Sequence, residues 1–421
     1  MRKKMICVVL AIAMLLCLAA CGSTGTETSE PSASSSTSEA SNGVPDDWVK
    51  LELSYATYLP EMNPNMQMYK HWITTLEKYM PGLITINFFP SGTLLSQSDT
   101  YEGVLAGTAD IAVLDIGSVA NLFPLSKIWS YPTIKVANAT AASAAFTEWV
   151  WRYKPAEYDD VVFLFGQALG PLDFVTNFEV KDPSDLAGKQ IRATMLGADI
   201  VSAYGAIPVT LETSELYEAA RSGLIDGAYY GVTTAMLQGM TEFCNYCIKL
   251  DMGTPTYAYI MNKETFNRMP KSQQEAFKKA FAEAFFEYML PQVNTRLNQH
   301  KETMHAIGDG KIKFFMPDDK TLEKFHKPVA GLLDEYIAEM ESKGIDARTE
   351  VQRIQELTEK WNNWFPFEKS LEPWVIAATQ GTEDYEEYKA EHWNDPLPEW
   401  PEIYGYTPTS PQAYPIDYPF E

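Results

Sequence analysis

Arg192 is the residue whose type and position are best suited to binding chemistry, because it leaves the predicted strand Gln190–Thr194 at one edge of a sheet. In open α/β folds, ligands bind beside the carboxyl ends of the strands. The planar guanidinium group of arginine can hold a carboxylate through two parallel, charge-assisted hydrogen bonds, and lysine cannot form that pair. The residue therefore indicates a site for an organic acid. An arginine held in a structural ion pair remains the alternative interpretation.

Two cysteines in the middle of the chain form the motif Cys244-Asn-Tyr-Cys247. In an exported protein this spacing is compatible with a small-loop disulfide or with a redox pair. No predicted strand leads into a helix opened by this motif, as redox proteins of the thioredoxin type require, so the disulfide is the stronger expectation. The five histidines are scattered along the chain and predict no zinc site with these thiols.

Sequence motifs of common catalytic sites are missing from the chain. There is no Gly-x-Ser-x-Gly, no His-Glu-x-x-His and no phosphate-binding Gly-x-x-x-x-Gly-Lys. Adjacent carboxylates such as Asp159-Asp160 point apart in a strand or helix, so they make a poor acid and base pair for glycoside hydrolysis. We therefore expect neither an enzyme nor a cofactor, with an anchored extracellular carbohydrate hydrolase as the alternative from a different class.

Predicted strands and helices alternate through most of the chain, which favours an α/β fold. A first series of strands and helices ends near Asp115, and a second begins near Val161. Two α/β units in one chain imply a ligand cleft between them. Beyond Met252 the pattern changes to helices, and an apolar stripe at helical spacing marks Lys271–Met289 as a core helix. Further helices are predicted at Thr321–Glu341 and Arg348–Asn362.

Composition and charge narrow the class of partner. The chain has 421 residues, 46% of them hydrophobic, and its 56 acidic against 33 basic residues give a net charge of −23. A cationic surface for nucleic acid is therefore not expected. A chain of this length and apolar content can bury one large or two ordinary cores.

The first residues are typical of an export signal with a lipid attachment site. A basic segment, Arg2 to Lys4, precedes an apolar run that is too short to span a bilayer comfortably. The run ends in Leu18-Ala-Ala-Cys21-Gly, which resembles the bacterial lipobox, so we expect residues 1–20 to be removed and Cys21 to be acylated. Residues 21–43 are rich in Ser, Thr and Gly and predict a flexible tether.

The C-terminal residues 363–421 form a segment of different composition, rich in Pro, Tyr, Trp and acidic residues. This composition does not predict a conventional domain. We expect the segment to be an extension that wraps over the body or stays partly mobile.

An ordered set of motifs resembles the extracytoplasmic solute-binding proteins of TRAP transporters, the family typified by dicarboxylate receptors. The set comprises Asp182-Pro-Ser-Asp-Leu-Ala-Gly-Lys-Gln-Ile-Arg192, Gly205-Ala-Ile-Pro-Val209 and Leu216-Tyr-Glu-Ala-Ala-Arg-Ser-Gly-Leu-Ile-Asp-Gly227, with Pro90-Ser-Gly-Thr-Leu94 and Gly107-Thr-Ala-Asp-Ile111 upstream. The resemblance covers about residues 50–360. It implies that Arg192 holds the carboxylate of the substrate.

Two departures from the family pattern bear on the ligand. Leu172 replaces a second arginine that many members carry, and Tyr230 stands where many members have an asparagine that binds ligand. With Tyr229 beside it and Tyr58 at the end of the first strand, this pattern predicts a larger, more aromatic or less charged ligand than a four-carbon dicarboxylate. Alternation along the strand also allows one of the paired tyrosines to lie in the core.

The resemblance implies a two-lobed fold like that of periplasmic binding proteins. Lobe I is predicted from residues 44–167 and about 252–290, and lobe II from 168–251 and about 291–362, with hinges near 166–170 and 250–254. The implied protein is a monomeric receptor, anchored to the cell membrane by its lipid, that closes on a small organic acid. It would deliver that acid to a TRAP-type membrane permease, with the receptor of an ABC importer as the alternative.

Overall fold

The computed structural model describes residues 44–61, 68–170, 172–194, 197–290, 293–365, 378, 382–392 and 394. The chain divides into Met1–Gly43 and a compact unit, Val44–Glu421. The expected signal sequence, Cys21, the tether and most of the C-terminal extension lie outside the described residues. Within the described ranges, no helix has the length and apolar character needed to cross a bilayer.

Strands and helices alternate along the described chain. The strands are β1 (Leu51–Ala56), β2 (Ile84–Phe89), β3 (Ile111–Asp115), β4 (Val161–Ala168), β5 (Leu172–Thr176), β6 (Gln190–Arg192), β7 (Ile207–Val209), β8 (Gly227–Tyr230), β9 (Tyr246–Met252), β10 (Thr256–Asn262) and β11 (Lys313–Phe315). The helices are α1 (Met68–Tyr79), α2 (Thr100–Leu105), α3 (Ala139–Tyr153), α4 (Ala198–Ala203), α5 (Leu216–Ser222), α6 (Val232–Leu237), α7 (Lys263–Asn267), α8 (Lys271–Ala284), α9 (Val293–Gly308), α10 (Asp319–His326), α11 (Leu332–Ser342), α12 (Ala347–Trp364) and α13 (Thr382–His392).

The first sheet has five strands in the order β2-β1-β3-β10-β4. Strand β1 pairs in parallel with β2 and β3, whereas β10 runs antiparallel to both β3 and β4. Every residue of β3 is buried, as expected for a strand covered on both faces. Trp72 of α1 packs its ring on Tyr259 of β10 and Phe281 of α8, which joins two helices to the sheet.

The second sheet has six strands in the order β11-β9-β5-β8-β6-β7. Its central strand β5 runs antiparallel to β8 and β9, and β6 lies parallel to β7 and β8. Helices α4, α5 and α6 cover this sheet with buried apolar residues. We call each sheet with its helices a lobe, so the described chain has two α/β lobes, as the sequence predicted.

Two of the places at which the chain passes between the lobes are neighbours, one after β4 and one after β9. The two crossing segments are hydrogen-bonded to each other, because the Leu169 amide donates to the Pro255 carbonyl at 3.1 Å and the Leu172 amide donates to the Gly253 carbonyl at 3.3 Å. The Thr254 hydroxyl also donates to the Leu169 carbonyl. These places coincide with the segments in which the sequence predicted hinges.

Helices α11 and α12 pack in the core of the first lobe. Their buried residues, Tyr336 and Ile354 among them, belong to the same apolar cluster as the strands of the first sheet. The sequence pattern had assigned residues up to 362 to lobe II, and the packing differs from that assignment. Helix α12 packs in the first lobe because its apolar face is buried there. Its Trp361 indole also donates a hydrogen bond to Glu148 of α3 at 2.7 Å.

Two further differences concern local structure. Strand β10 lies where only helices were expected, although Tyr257 to Met261 is a short continuous apolar run of the kind that suits a fully buried strand. The expected helix Thr321–Glu341 is interrupted, since α10 ends at His326 and α11 starts at Leu332. Pro328 explains the break, because proline lacks a backbone N–H and clashes with the preceding helical turn.

Helix α13 belongs to the C-terminal extension and packs against the second lobe. The ring of Tyr385 is fully buried in that lobe's core and its hydroxyl is hydrogen-bonded to Nδ1 of His305. A side chain at Gly308 would place its Cβ 2.3 Å from the Tyr385 ring, so glycine creates the space that the ring occupies. Lys389 adds an ion pair with Asp309 at 2.6 Å.

A half-buried carboxylate in the first lobe predicts a loss of stability as pH rises. Burial raises the pKa of Glu157 to about 7, although Ser126 and the Leu125 amide donate hydrogen bonds to it. The folded state therefore holds this proton more tightly than the unfolded state, whose glutamate titrates near pH ~4.3. The free energy of unfolding should fall as pH rises through this window, by about 3 kcal/mol in total.

Denaturant unfolding of the wild type and of Glu157→Gln between pH 4.5 and pH 8 tests this prediction. The variant keeps the shape of the side chain but cannot titrate, so the stability difference between the two proteins should change by about 2–3 kcal/mol over the range. A difference that stays constant with pH would contradict it.

Candidate functional site

A cavity of about 60 Å³ lies where the two lobes meet beside the crossing segments. Its wall combines tyrosine rings, amide and hydroxyl groups and a few aliphatic side chains. Both lobes contribute, since Val113 and Gln167 belong to the first sheet and Tyr230 to the second. The lining residues are Tyr58, Leu59, Val113, Gln167, Leu169, Thr213, Tyr230, Thr234, Leu237, Gln238, Tyr257 and Gln299.

Arg192 ends β6 and points its guanidinium group into the interior behind this wall. The side chain is only 1% exposed. Its Nε and Nη2 donate to the Leu211 carbonyl at 3.2 and 3.0 Å, and its Cζ lies 5.2 Å from the centre of the Tyr230 ring. Among the described residues, none forms an ion pair with Arg192. The guanidinium is therefore oriented by one carbonyl and one ring face, and the alternative of a structural ion pair is not what the described part of the chain contains.

Asp115 is a carboxylate whose charge interacts with that of Arg192. It ends β3 in the first lobe and is buried, and its Oδ1 accepts the Gly117 amide at 2.8 Å. Burial raises the pKa of Asp115, while the Gly117 hydrogen bond and the charge of Arg192 act in the opposite direction. Asp115 was not among the site residues predicted from the sequence, although its position at the end of a fully buried strand was a usable signal.

Three tyrosines bring hydroxyl groups and ring faces to the cavity. The hydroxyls of Tyr58 and Tyr257 interact with each other, and the hydroxyl of Tyr230 interacts with Thr213. Burial raises the pKa of all three, so they stay neutral and can donate or accept hydrogen bonds. Tyr257 was not predicted, because the strand that carries it was not predicted.

The residues predicted from sequence separate into two groups. Tyr58 and Tyr230 line the cavity and Arg192 lies against Tyr230. Tyr229 instead lies in the core of the second lobe, where its hydroxyl donates to the Met252 carbonyl at 2.5 Å and its ring packs on Phe174. Its prediction as a ligand-binding residue differs from the structure because adjacent residues of β8 point to opposite faces of the sheet.

Cys244 and Cys247 are free, buried thiols in this structure, and the disulfide that their spacing allows is not formed. Both pack in the core of the second lobe, Cys247 from within β9 and Cys244 from the turn before it, with Sγ of Cys244 3.9 Å from the Asp226 carbonyl. Burial raises the pKa of Cys244 to about 12, and it raises that of Cys247 well above its ordinary value. Such thiols are protonated and poorly nucleophilic.

The described residues contain no group of three or more His, Cys, Asp or Glu side chains arranged to hold a metal ion. The chemistry that the described site offers is therefore recognition through one buried guanidinium, neutral hydroxyl and amide groups and aromatic faces.

Two α/β lobes joined by paired crossing segments, with a cavity between them, define a two-lobed fold of the periplasmic-binding-protein class. The family model for "Bacterial extracellular solute-binding protein, family 7" matches residues 55–345, and the chain belongs to that family. The predicted resemblance to TRAP solute-binding proteins is thereby confirmed. This family is one of extracellular solute-binding proteins and not an enzyme class.

Curated relatives are similar over part of their length. The C4-dicarboxylate-binding periplasmic protein DctP of Rhodobacter capsulatus is 23% identical over 49% of this chain and 64% of its own. A monocarboxylate 2-oxoacid-binding periplasmic protein of a Nostoc species is 26% identical over 48% of this chain and 57% of its own. The chain thus spans less than two thirds of the length of these relatives.

Solved structures share the fold. A TRAP solute-binding protein of Rhodoferax ferrireducens in complex with copurified benzoate has a TM-score of 0.65 and 21% identity, covering 75% of this chain and 99% of its own. A marine metagenome TRAP solute-binding protein in complex with 3-hydroxybenzoate has a TM-score of 0.66 and 19% identity, with the same coverage.

Proposed function

We propose that this protein captures a small organic acid outside the cytoplasm and delivers it to a TRAP-type membrane permease, with Arg192 binding the carboxylate. The observation that carries the proposal is the buried guanidinium, which no described residue pairs with a carboxylate. Placing a cation in a protein interior costs several kcal/mol unless charges or hydrogen bonds compensate it. A carboxylate bound beside Arg192 supplies that compensation.

The neutral hydroxyls and ring faces around Arg192 favour a particular kind of acid. Tyr58, Tyr230 and Tyr257 offer stacking surfaces and hydrogen bonds, but no second fixed cation, and Asp115 adds negative charge. A second carboxylate on the ligand would therefore be poorly compensated. The ligands of the two solved structures above, benzoate and 3-hydroxybenzoate, support an aromatic or otherwise ring-containing monocarboxylate.

The two crossing segments support closure as the mechanism of capture. Hinge bending at Leu169 and Gly253 would bring the lobes together, expel water and strengthen the charge-assisted hydrogen bonds of Arg192. This cycle requires no covalent step, so we propose a receptor without catalysis or cofactor.

Attachment to the membrane belongs to the same proposal. Acylation of Cys21 and a Ser- and Thr-rich tether to Gly43 would keep a monomeric body close to the permease. Metabolic labelling with a fatty acid, lost in Cys21→Ser, tests this arrangement.

A thermal-shift screen tests the function. The chain from Cys21 to Glu421, produced without lipid, is heated with a panel of mono- and dicarboxylates that includes benzoate, 3-hydroxybenzoate, mandelate and succinate. At about 100 times Kd a ligand adds about 2.7 kcal/mol of stability, so Tm should rise by several degrees and continue to rise with concentration. The ligand should be recovered unchanged. Absence of stabilisation by every acid, or conversion of one to product, would contradict the proposal.

A further inference from the structure

We infer that Gln97 is a positioning residue that links closure of the lobes to the Arg192 site; this rests on the function proposed above. Gln97 lies in the first lobe, between β2 and α2, and is 2% exposed. Its Nε2 donates to Oδ2 of Asp115 in the same lobe. Its Oε1 accepts the backbone amide of Thr213, from the second lobe, at 3.0 Å. One buried side chain thus bridges the two lobes.

In the second lobe, Gln97 binds the loop that orients Arg192. Thr213 interacts electrostatically with Tyr230, whose ring faces the guanidinium. The carbonyl that holds Nε and Nη2 of Arg192 belongs to Leu211, two residues before Thr213. The hydrogen bond from the Thr213 amide to Gln97 therefore fixes the loop whose Leu211 carbonyl orients the guanidinium.

Two other contacts between the lobes lie nearer the surface than the Gln97 bridge. Lys127 pairs with Asp199 at 2.7 Å, and the Ser98 hydroxyl donates to Glu212 at 2.9 Å, both near the surface. Exposed pairs of this kind contribute little to an equilibrium in water. Buried hydrogen bonds weigh more, because an opened or mutated partner leaves a desolvated polar group behind.

The amide group of glutamine is what this position needs. It must donate to the Asp115 carboxylate and accept from the Thr213 N–H at the same time, and a neutral amide does both. A glutamate of the same shape would still accept from Thr213 but would bring a second carboxylate against Asp115. The geometry predicts that Gln97→Glu weakens closure and that neutralising Asp115 restores it.

A double-mutant cycle tests the inference, with benzoate and 3-hydroxybenzoate as probes in calorimetry on the chain from Cys21 to Glu421. Gln97→Glu should weaken binding by about tenfold or more in the wild-type background, and by less than about threefold in the Asp115→Asn background. Ser98→Ala, which removes the neighbouring exposed contact, should change affinity by less than about twofold. Equal losses in both backgrounds, or no loss in either, would overturn the inference.

Hydrogen exchange without ligand separates this inference from the proposed function. Gln97→Ala should speed exchange of the Thr213 amide relative to the wild type, because that amide loses its acceptor. If no carboxylate binds but this difference appears, the proposed function fails and the bridge stands. If the wild type binds a carboxylate while Thr213 exchanges equally fast in both proteins, the bridge is refuted and the proposed function stands.

Discussion

Replacing Arg192 with alanine is expected to weaken carboxylate binding by about 100-fold or more, which corresponds to about 3 kcal/mol. The variant removes the buried cation that lies against Tyr230 and leaves a desolvated carboxylate without a charged partner. Arg192→Lys should recover only part of the loss, because an ammonium keeps the charge but not the planar fork. Calorimetric titration with the acid that gives the largest thermal shift measures both effects.

Tyr229→Phe is a suitable control for the Arg192 variants. It lies beside Tyr230 in the same strand, but its hydroxyl bonds the Met252 carbonyl in the core and does not reach the cavity. It should lower stability by about 1 kcal/mol with little effect on affinity. Undiminished affinity in Arg192→Ala, in a protein that unfolds cooperatively, would exclude Arg192 as the carboxylate ligand.

Replacing Gly253 with alanine is expected to lower the free energy of unfolding by about 3 kcal/mol or more. Gly253 lies in the second crossing segment with φ of +63°, in the left-handed region. A Cβ there would be 1.8 Å from the Ser130 carbonyl oxygen, which is backbone and cannot turn away as a side chain could. The crossing segment would have to move, and the hydrogen bond from Leu172 to the Gly253 carbonyl would be strained.

Gly188→Ala is a control variant for Gly253→Ala. Its backbone has the same left-handed conformation, but an added Cβ would make no close contact. Gly188 has φ of +73° and no heavy atom within 4 Å of the position of an added Cβ. Its replacement should cost only about 1 kcal/mol, the usual penalty for a left-handed residue that is not glycine. Denaturant unfolding of both variants gives the comparison. Equal losses would show that the contact with Ser130 does not constrain the crossing segment.

The fold was largely predictable because hydrophobic periodicity carries it. The helix predicted at Arg348–Asn362 corresponds to α12, and the strand predicted at Gln190–Thr194 begins where β6 begins. The elements whose position depends on long-range packing were not predictable in this way. Strand β10 pairs with β3 and β4, which lie far away in sequence, and no local sequence pattern indicates that pairing. The association of α12 with α3 depends equally on partners distant in the chain.

The candidate site was predictable only in part, for a related reason. Arg192 and Tyr230 follow from strand ends within one lobe, where local pattern and family motifs agree. Asp115 and Gln97 come from the other lobe and become part of the site only when the two lobes meet. Tyr229 and Tyr230 are adjacent, and only the register of β8 decides which of them faces the cavity.

A crystal structure grown with the acid that stabilises the protein most is the most direct test of the central claim. We expect the ligand's carboxylate oxygens within hydrogen-bond distance of the Arg192 guanidinium, with the rest of the molecule against Tyr58, Tyr230 and Tyr257. A ligand bound elsewhere, or a carboxylate held by other groups while Arg192 stays bonded only to Leu211, would contradict it.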